Sequence, residues 1–324
     1  MKKLIVDTLG SDNGCFPIVC GVLNAMAERD DFSVVFAGDK SEIEKIVCSR
    51  GFGFDRIEIL HTKSFVADSD LPTCVFRGGD DTSMVMSLEK LRDDVDACAM
   101  ICAGNTGALL VGTICRLGLV KGLMSPVLAT AIPCKKDGLV CLVDCGANTD
   151  CKSEDLKNFA LMGNAYMQSL AGIESPKVAL MSVGQSPHKG NALVKEAYAL
   201  IEKLPINFIG NIEGTHLVNS PADVVVTDGF TGNVLLKNTE AAGMAAIEIV
   251  DELASGTEVH DKLKNALHSM FAFNDLGGAT FLGAKKPVVK MHGCANEKTA
   301  YECVKLALTL DSGDLSNRIH NALC

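Results

Sequence analysis

Gly104-Asn105-Thr106-Gly107 joins the short apolar run Ala97 to Cys102 directly to the next helical run. A strand that turns straight into a helix offers free backbone N–H groups, here with an amide and a hydroxyl beside them, which is a ready anion site. Asn and Thr also cap helices without binding anything, so a single such turn decides little. Recurrence gives it weight. Asp144 to Asp150, Gly184 to Asn191 and Asp228 to Asn233 have the same small, polar makeup. In the second of these, Lys189 stands at the start of a helical run beside Gly190, where an ammonium would add point charge to the helix N-terminal field. Its alternative reading is a solvated loop lysine, and His188 reads as an exposed turn residue. The spacing is not that of a Walker loop, so no nucleoside triphosphate is implied. These loops hold no Ser-His-Asp set, no H-E-x-x-H and no G-x-G-x-x-G after the first strand. The implied ligand is small, anionic and rich in oxygen, handled by positioning and electrostatics rather than through a covalent intermediate.

The elements that must carry these loops follow from hydrophobic periodicity. Strands are expected at Lys3–Val6, Ser33–Ala37, Ile57–Leu60, Ala97–Cys102, Pro126–Pro133, Gly138–Val143, Lys177–Val183, Ile206–Gly210, Val224–Thr227 and Pro287–Met291. Helical runs stand between most of them, at Pro17–Arg29, Lys40–Arg50, Met84–Arg92, Ser153–Leu170, a stretch ending near Leu204, and a terminal helix. That alternation predicts an α/β fold with a mostly parallel sheet, whose carboxyl edge is where ligands bind. Lys135-Lys136-Asp137-Gly138 reads as a hairpin turn. From His61 to Ser83 the periodicity fails, and a stretch this long is either a binding loop or lid, or a solvated connection. Val234–Leu253 is a helix rich in small residues, suited to a core or a dimer interface. Ser255–Phe273 holds a second helix with Leu263, Ala266, Leu267, Met270 and Phe271 on one face, facing the core, a subunit or a membrane surface. With no repeat and no Pro/Ser-rich linker, residues 1–324 read as one compact unit, with room for two lobes.

The 324 residues are 48% hydrophobic, enough for a large core. Thirty Lys plus Arg against 40 Asp plus Glu leave a net charge near -10, which argues against nucleic acid as a partner. Fourteen cysteines stand behind an opening too short for a secretory signal, so a reducing cytoplasm is the expected compartment. No C-x-x-C pair is present, and the thiols read as small buried hydrophobes rather than metal ligands. The longest apolar candidate, Gly107 to Val120, contains Arg116 and falls short of the roughly eighteen residues a membrane span needs.

Six ordered motifs together resemble one family. They are Asp7-Thr8-Leu9-Gly10-Ser11-Asp12-Asn13, Ala103 to Ala108, Asp144 to Lys152, Lys189-Gly190-Asn191, Asn207 to Gly214 and Asp228 to Lys237. Gly277-Gly278-Ala279 and His292-Gly293 extend the resemblance to nearly the whole chain. The sequence is similar to the bacterial phosphate acyltransferases, the PlsX family. That resemblance implies a homodimer with a three-layer α/β/α sandwich like isopropylmalate dehydrogenases and phosphotransacetylases. It implies transfer of a fatty acyl group from acyl carrier protein to inorganic phosphate, with no metal or organic cofactor. The acyl phosphate would pass to a glycerol 3-phosphate acyltransferase downstream in phospholipid synthesis. On this reading Lys189 and the Gly190 and Asn191 N–H groups position phosphate, and Asn233 or the backbone near Gly232 donates to the oxyanion. Gly10, Asp12, Asn13, Ser83, Asn105, Thr106, Gly107, Asn148 and Asp228 line the pocket, with Asp12 and Asp228 orienting donors because bare carboxylates repel phosphate.

The sequence departs from the family pattern at Ser11, at Gly78-Gly79 before Asp81-Thr82-Ser83-Met84, at Gln185 to His188, and at Thr215. These changes bear on acyl-donor recognition and chain length more than on the reaction. Acyl carrier protein is acidic, so its docking would need a local basic patch. The competing readings are a short-chain phosphotransacetylase using coenzyme A, a nicotinamide dehydrogenase of the same fold, and a non-catalytic regulator that binds acyl carrier protein or lipid. Paired arginines for a hydroxy acid and clustered metal-binding aspartates are both missing, which disfavours the dehydrogenase. A peripheral contact with the inner face of the cell membrane goes with the apolar helix face near Leu263.

Overall fold

A computed structural model of the chain describes residues 1–76, 79–134, 138–271 and 277–324. It divides into two units, one formed by Met1–Pro126 with Gly277–Cys324 and the other by Val127–Leu276.

The first unit begins with β1 (Lys2–Asp7), α1 (Cys15–Glu28), β2 (Phe32–Gly38), α2 (Lys40–Ser49), β3 (Ile57–His61), α3 (Ser83–Asp93), β4 (Ala97–Cys102) and α4 (Thr106–Gly112). The second unit holds β5 (Val127–Cys134), β6 (Gly138–Val143), α5 (Ser153–Ala171), β7 (Lys177–Met181), α6 (Ala192–Ile201), β8 (Asn207–Ile212), β9 (Val224–Val226), α7 (Gly229–Ala254) and α8 (His260–Phe271). The chain then returns to the first unit with β10 (Ala279–Leu282), β11 (Val288–Lys290), α9 (Glu297–Ser312) and α10 (Leu315–Leu323).

In the first unit the strands run in the order β3-β2-β1-β4-β11-β10. All neighbours are parallel except β10 and β11. Leu4, Ile5 and Val6 of β1 and every residue of β4 are buried, as expected of parallel strands covered on both faces. Chain order reverses between β1 and β4, so the loops after these two strands flank a topological switch point. In the second unit the order is β5-β6-β9-β7-β8, parallel except for the β5–β6 pair. The loops after β6, β7, β8 and β9 therefore leave from one edge. The expected mostly parallel α/β architecture with flanking helices is what the chain adopts.

The differences from expectation have local causes. Strand β10 was not expected, because four residues between glycine-rich turns carry too little periodicity. The run from Gly107 is not one helix, since α4 passes into a π-helical turn at Thr113–Leu117. Between His61 and Ser83 the chain forms a short 3-10 turn at Pro72–Val75 and a bridge from Ser64 to Thr82. The terminal helix is two helices, broken where Asp314 takes a left-handed backbone at φ 57°. Strands β5 and β6 pair as a hairpin requires; of the expected turn Lys135–Gly138, Gly138 opens β6 and residues 135–137 lie outside the described residues, as do Arg77, Gly78 and residues 272–276.

Candidate active site

In the second unit, Asp144 sits fully buried at the end of β6 and organises the loop that follows. One carboxylate oxygen accepts from Gly146 and Ala147 N–H, each at 2.9 Å, and from Leu128 N–H at 3.3 Å. The other accepts from Asn148 N–H at 2.7 Å and from the Asn148 side chain at 2.8 Å. Burial raises the Asp144 pKa, and these donors oppose the rise by stabilising the charged form. Asn148 is thus held on two donors, and its carbonyl accepts from Gly229 N–H at 2.7 Å.

Helix α7 docks on this loop. Asp228 caps it, accepting from Thr231 N–H and Oγ, each at 2.8 Å, so the carboxylate is engaged as a cap. The helix begins at Gly229, five residues before the expected start, because this cap and close contact outweigh two glycines. A Cβ at Gly232 would fall 1.9 Å from the Asp144 carbonyl oxygen, and one at Gly229 would fall 2.6 Å from the Asn148 carbonyl oxygen. Only bare glycine backbone fits there. The Gly232 N–H donates to the Asp228 carbonyl at 2.9 Å. Asn233 Nδ2 lies 3.3 Å from the Cys145 carbonyl and against Gly146.

Beyond β7, the loop to α6 carries Lys189. Asn211, buried on β8, donates from Nδ2 to the Ser186 carbonyl at 3.0 Å, and Lys189 N–H donates to the same oxygen at 3.0 Å. The Lys189 stem lies across Gly184, and its ammonium makes no ion pair among the described residues. Gly190 turns the chain at φ 103°, and a side chain there would meet Val194 at 2.6 Å. Asn191 then caps α6 by accepting from Val194 N–H at 2.9 Å. The N–H groups of Gly190 and Asn191 have no acceptor among the described residues. Two free donors and an unpaired ammonium at a helix N-terminus fit an anion.

In the first unit, the predicted residues serve mostly to lock loops together. Asp12 N–H donates to the Gly293 carbonyl at 2.9 Å, and Asn13 Nδ2 donates to the Cys294 and Ala295 carbonyls at 2.9 and 3.2 Å. Asn105 caps α4, accepting from Ala108 N–H at 2.9 Å, and donates to the Ala67 and Asp68 carbonyls, each at 3.3 Å. Thr106 is exposed at the start of that helix, Gly107 packs on Pro72, and Gly10 approaches Gly104. Ser83 is buried at the start of α3, its N–H donating to the Ser64 carbonyl at 2.9 Å. A cavity of about 330 Å³ is bounded by Gly10, Asp12, Phe65 and Asp68.

Beneath these loops lies a buried charged cluster that sequence reasoning missed. Burial pushes the Asp7 carboxyl up to about 6, against opposing donors that include Leu9 N–H and the Cys102 thiol at 3.2 Å. Lys290, on β11, is also desolvated, which lowers its pKa. Its ammonium donates to the Ala103 carbonyl at 2.9 Å and to that of Met291. The Asp144 role was missed too. The only signal was an acidic residue at a strand end ahead of small residues.

The family model described as "Fatty acid synthesis protein" matches residues 2–318. A phosphate acyltransferase from Clostridioides difficile is 37% identical over 98% of this chain and 95% of its own length. Another, from Bacillus subtilis, is 34% identical over 97% and 96%. Among solved structures, a phosphotransacetylase from Streptococcus pyogenes superposes with a TM-score of 0.66 at 15% identity, over 96% of this chain and 94% of that one. A structural likeness at that identity speaks to fold alone. The match of sequence along nearly the full length does more, and on it the chain belongs to the phosphate acyltransferase family.

Proposed function

We propose that this chain takes a fatty acyl group from the thioester of acyl carrier protein and delivers it to inorganic phosphate, giving acyl phosphate. The observation that carries the reading is the anion cradle in the second unit, where the Gly190 and Asn191 N–H groups and the Lys189 ammonium lack partners among the described residues. A phosphate oxygen bonds to the thioester carbonyl carbon, the C–S bond breaks, and the sulfur leaves as a thiolate that takes a proton from solvent. The chain's part is to hold phosphate in line and to stabilise the tetrahedral oxyanion, for which Asn233 Nδ2 is the donor. No enzyme nucleophile is required. The side chains of Asn105, Asn148, Asn191 and Asp228 support the loops as caps and loop ties, while the Asn191 N–H is left for phosphate.

The same reading makes the acyl phosphate the substrate of a downstream glycerol 3-phosphate acyltransferase, in the cytoplasm. It also assigns a role to the α7–α8 hairpin, where Gly243 packs on Phe271, and Asp251 pairs with Lys264 at 2.8 Å and with His260. Met244, Ile249, Leu253, Val259 and Leu263 are left exposed on this pair. A homodimer contact or a peripheral membrane contact would cover them. Among the described residues no helix is long and apolar enough to cross a membrane.

The test measures release of free acyl carrier protein from palmitoyl-acyl carrier protein, with and without phosphate, for wild type and Lys189→Ala. Phosphate-dependent release that falls at least about 100-fold in the variant is the expected result. Release by the folded wild type that ignores phosphate would sink the assignment.

A further inference from the structure

The anion cradle has an apolar neighbour. A groove of about 490 Å³ in the second unit, within the size range of roughly 300–1,000 Å³ for small-molecule sites, runs from Gly190 and Asn191 along the first turns of α7. Its walls are Val183, Val194, Phe230, Val234 and Leu235, over a floor that includes the buried Met181. Val183, Phe230 and Val234 are 81%, 64% and 54% exposed, a contiguous apolar strip bordering the loops at the carboxyl edge of β7 and β9. At the seam between strip and cradle, the Ser182 hydroxyl is buried and has no hydrogen-bond partner among the described residues. Gly190 packs closely beside it, since a Cβ there would stand 3.0 Å from Ser182 Oγ.

We infer that this groove is the binding site for the hydrocarbon chain of the acyl donor, with the thioester end directed toward Gly190 and Asn191, beside phosphate. The inference rests on the acyltransferase reading and adds to it where the chain lies. One end of the groove supplies the unpaired Gly190 and Asn191 N–H donors, while the rest is mostly apolar, with Thr227, Asp228, Thr231 and Asn238 also on its walls, which is the polarity pattern of a fatty acyl thioester attacked by an anion. A short acyl group would leave most of the strip in water. Longer chains should gain roughly fourfold in kcat/KM per methylene buried until the groove is full.

The test compares octanoyl-, dodecanoyl- and palmitoyl-acyl carrier protein for wild type and for Val234→Trp, a substitution at an exposed site that narrows the groove. The palmitoyl-to-octanoyl ratio of kcat/KM should fall about tenfold in the variant, and Val183→Ser should lower it severalfold by removing apolar surface without adding bulk. Binding of cis-parinaric acid, followed by its fluorescence without phosphate, should weaken in parallel in Val234→Trp. An unchanged ratio with unchanged parinarate binding overturns the groove while leaving phosphate-dependent turnover intact. Loss of phosphate dependence with every donor overturns the acyltransferase reading instead, and parinarate binding then decides the groove by itself. A variant that changes only sedimentation, from dimer to monomer, would mark the groove as a contact between copies and overturn the proposal.

Discussion

Gly232→Ala adds one methyl group to the tightest approach in the candidate site. The new Cβ would stand 1.9 Å from the Asp144 carbonyl oxygen and 2.9 Å from Thr227 Cγ2. Reaching an ordinary contact of 3.4 Å from that oxygen requires a retreat of about 1.5 Å by the first turn of α7 or by the loop after β6. Neither can move alone. Asp228 caps the helix, and Asn148, fixed by Asp144, accepts from Gly229. Asn233 follows directly, so its Nδ2 moves with the backbone. A misplacement of about 1 Å can cost about 100-fold in rate, and overpacking typically costs about 1–3 kcal/mol of stability. We therefore expect kcat/KM for phosphate-dependent release of acyl carrier protein to fall at least about 100-fold. The urea midpoint should drop but leave a cooperative transition. Gly138→Ala is the control, because a Cβ there meets nothing within 4 Å. A Gly232→Ala protein with kcat/KM within about threefold of wild type would show that the α7 turn does not position the reacting groups.

Two further substitutions probe the buried carboxylates. Asp144→Ala strands the Gly146, Ala147 and Asn148 donors, and at about 1.5–3 kcal/mol per hydrogen bond to a charged acceptor the loss should be at least about 3–5 kcal/mol. An unchanged urea midpoint would rule out the carboxylate as the organiser of that loop. For Asp7, burial disfavours the charged form, so its carboxyl titrates near about 6 in the fold but near about 4 in the unfolded chain. Its contribution to stability is therefore undiminished below pH about 4, declines as pH rises to about 6, and stays low above that. Relative to wild type, Asp7→Asn should become more stable by about 3 kcal/mol between those limits. A difference that is flat with pH would refute the shift.

The strands that carry the loops were legible because burial on both faces writes itself as an apolar run. Ala97–Cys102 was placed to the residue, and β6 likewise. Capping residues were legible as a class, since Asn105, Asn191 and Asp228 all stand where their type is favoured. What each one does was not legible, because a cap and a ligand contact use the same oxygen. Gly229-Phe230-Thr231-Gly232-Asn233 read as a loop because glycine weakens helices, and the reason for glycine there is the Asp144 carbonyl, more than eighty residues away in sequence. Asp144 and Lys290 were invisible for a similar reason. Their roles are defined by burial and by backbone partners that only the folded chain brings to them.

The first unit is discontinuous in sequence, and this bears on the order in which the protein can mature during synthesis. Strand β11 lies between β4 and β10, yet it is made only after the whole second unit. At about 5–20 residues per second, β4 waits roughly ten to forty seconds for the neighbour that completes its ladder. The second unit, by contrast, is continuous in sequence. The nascent first half carries a bare edge along Ala97–Cys102, six apolar residues with no charge or proline to discourage pairing with another chain. Crowded polysomes and high expression temperature should thus be the conditions under which this chain is lost to aggregation, before its first unit is ever completed.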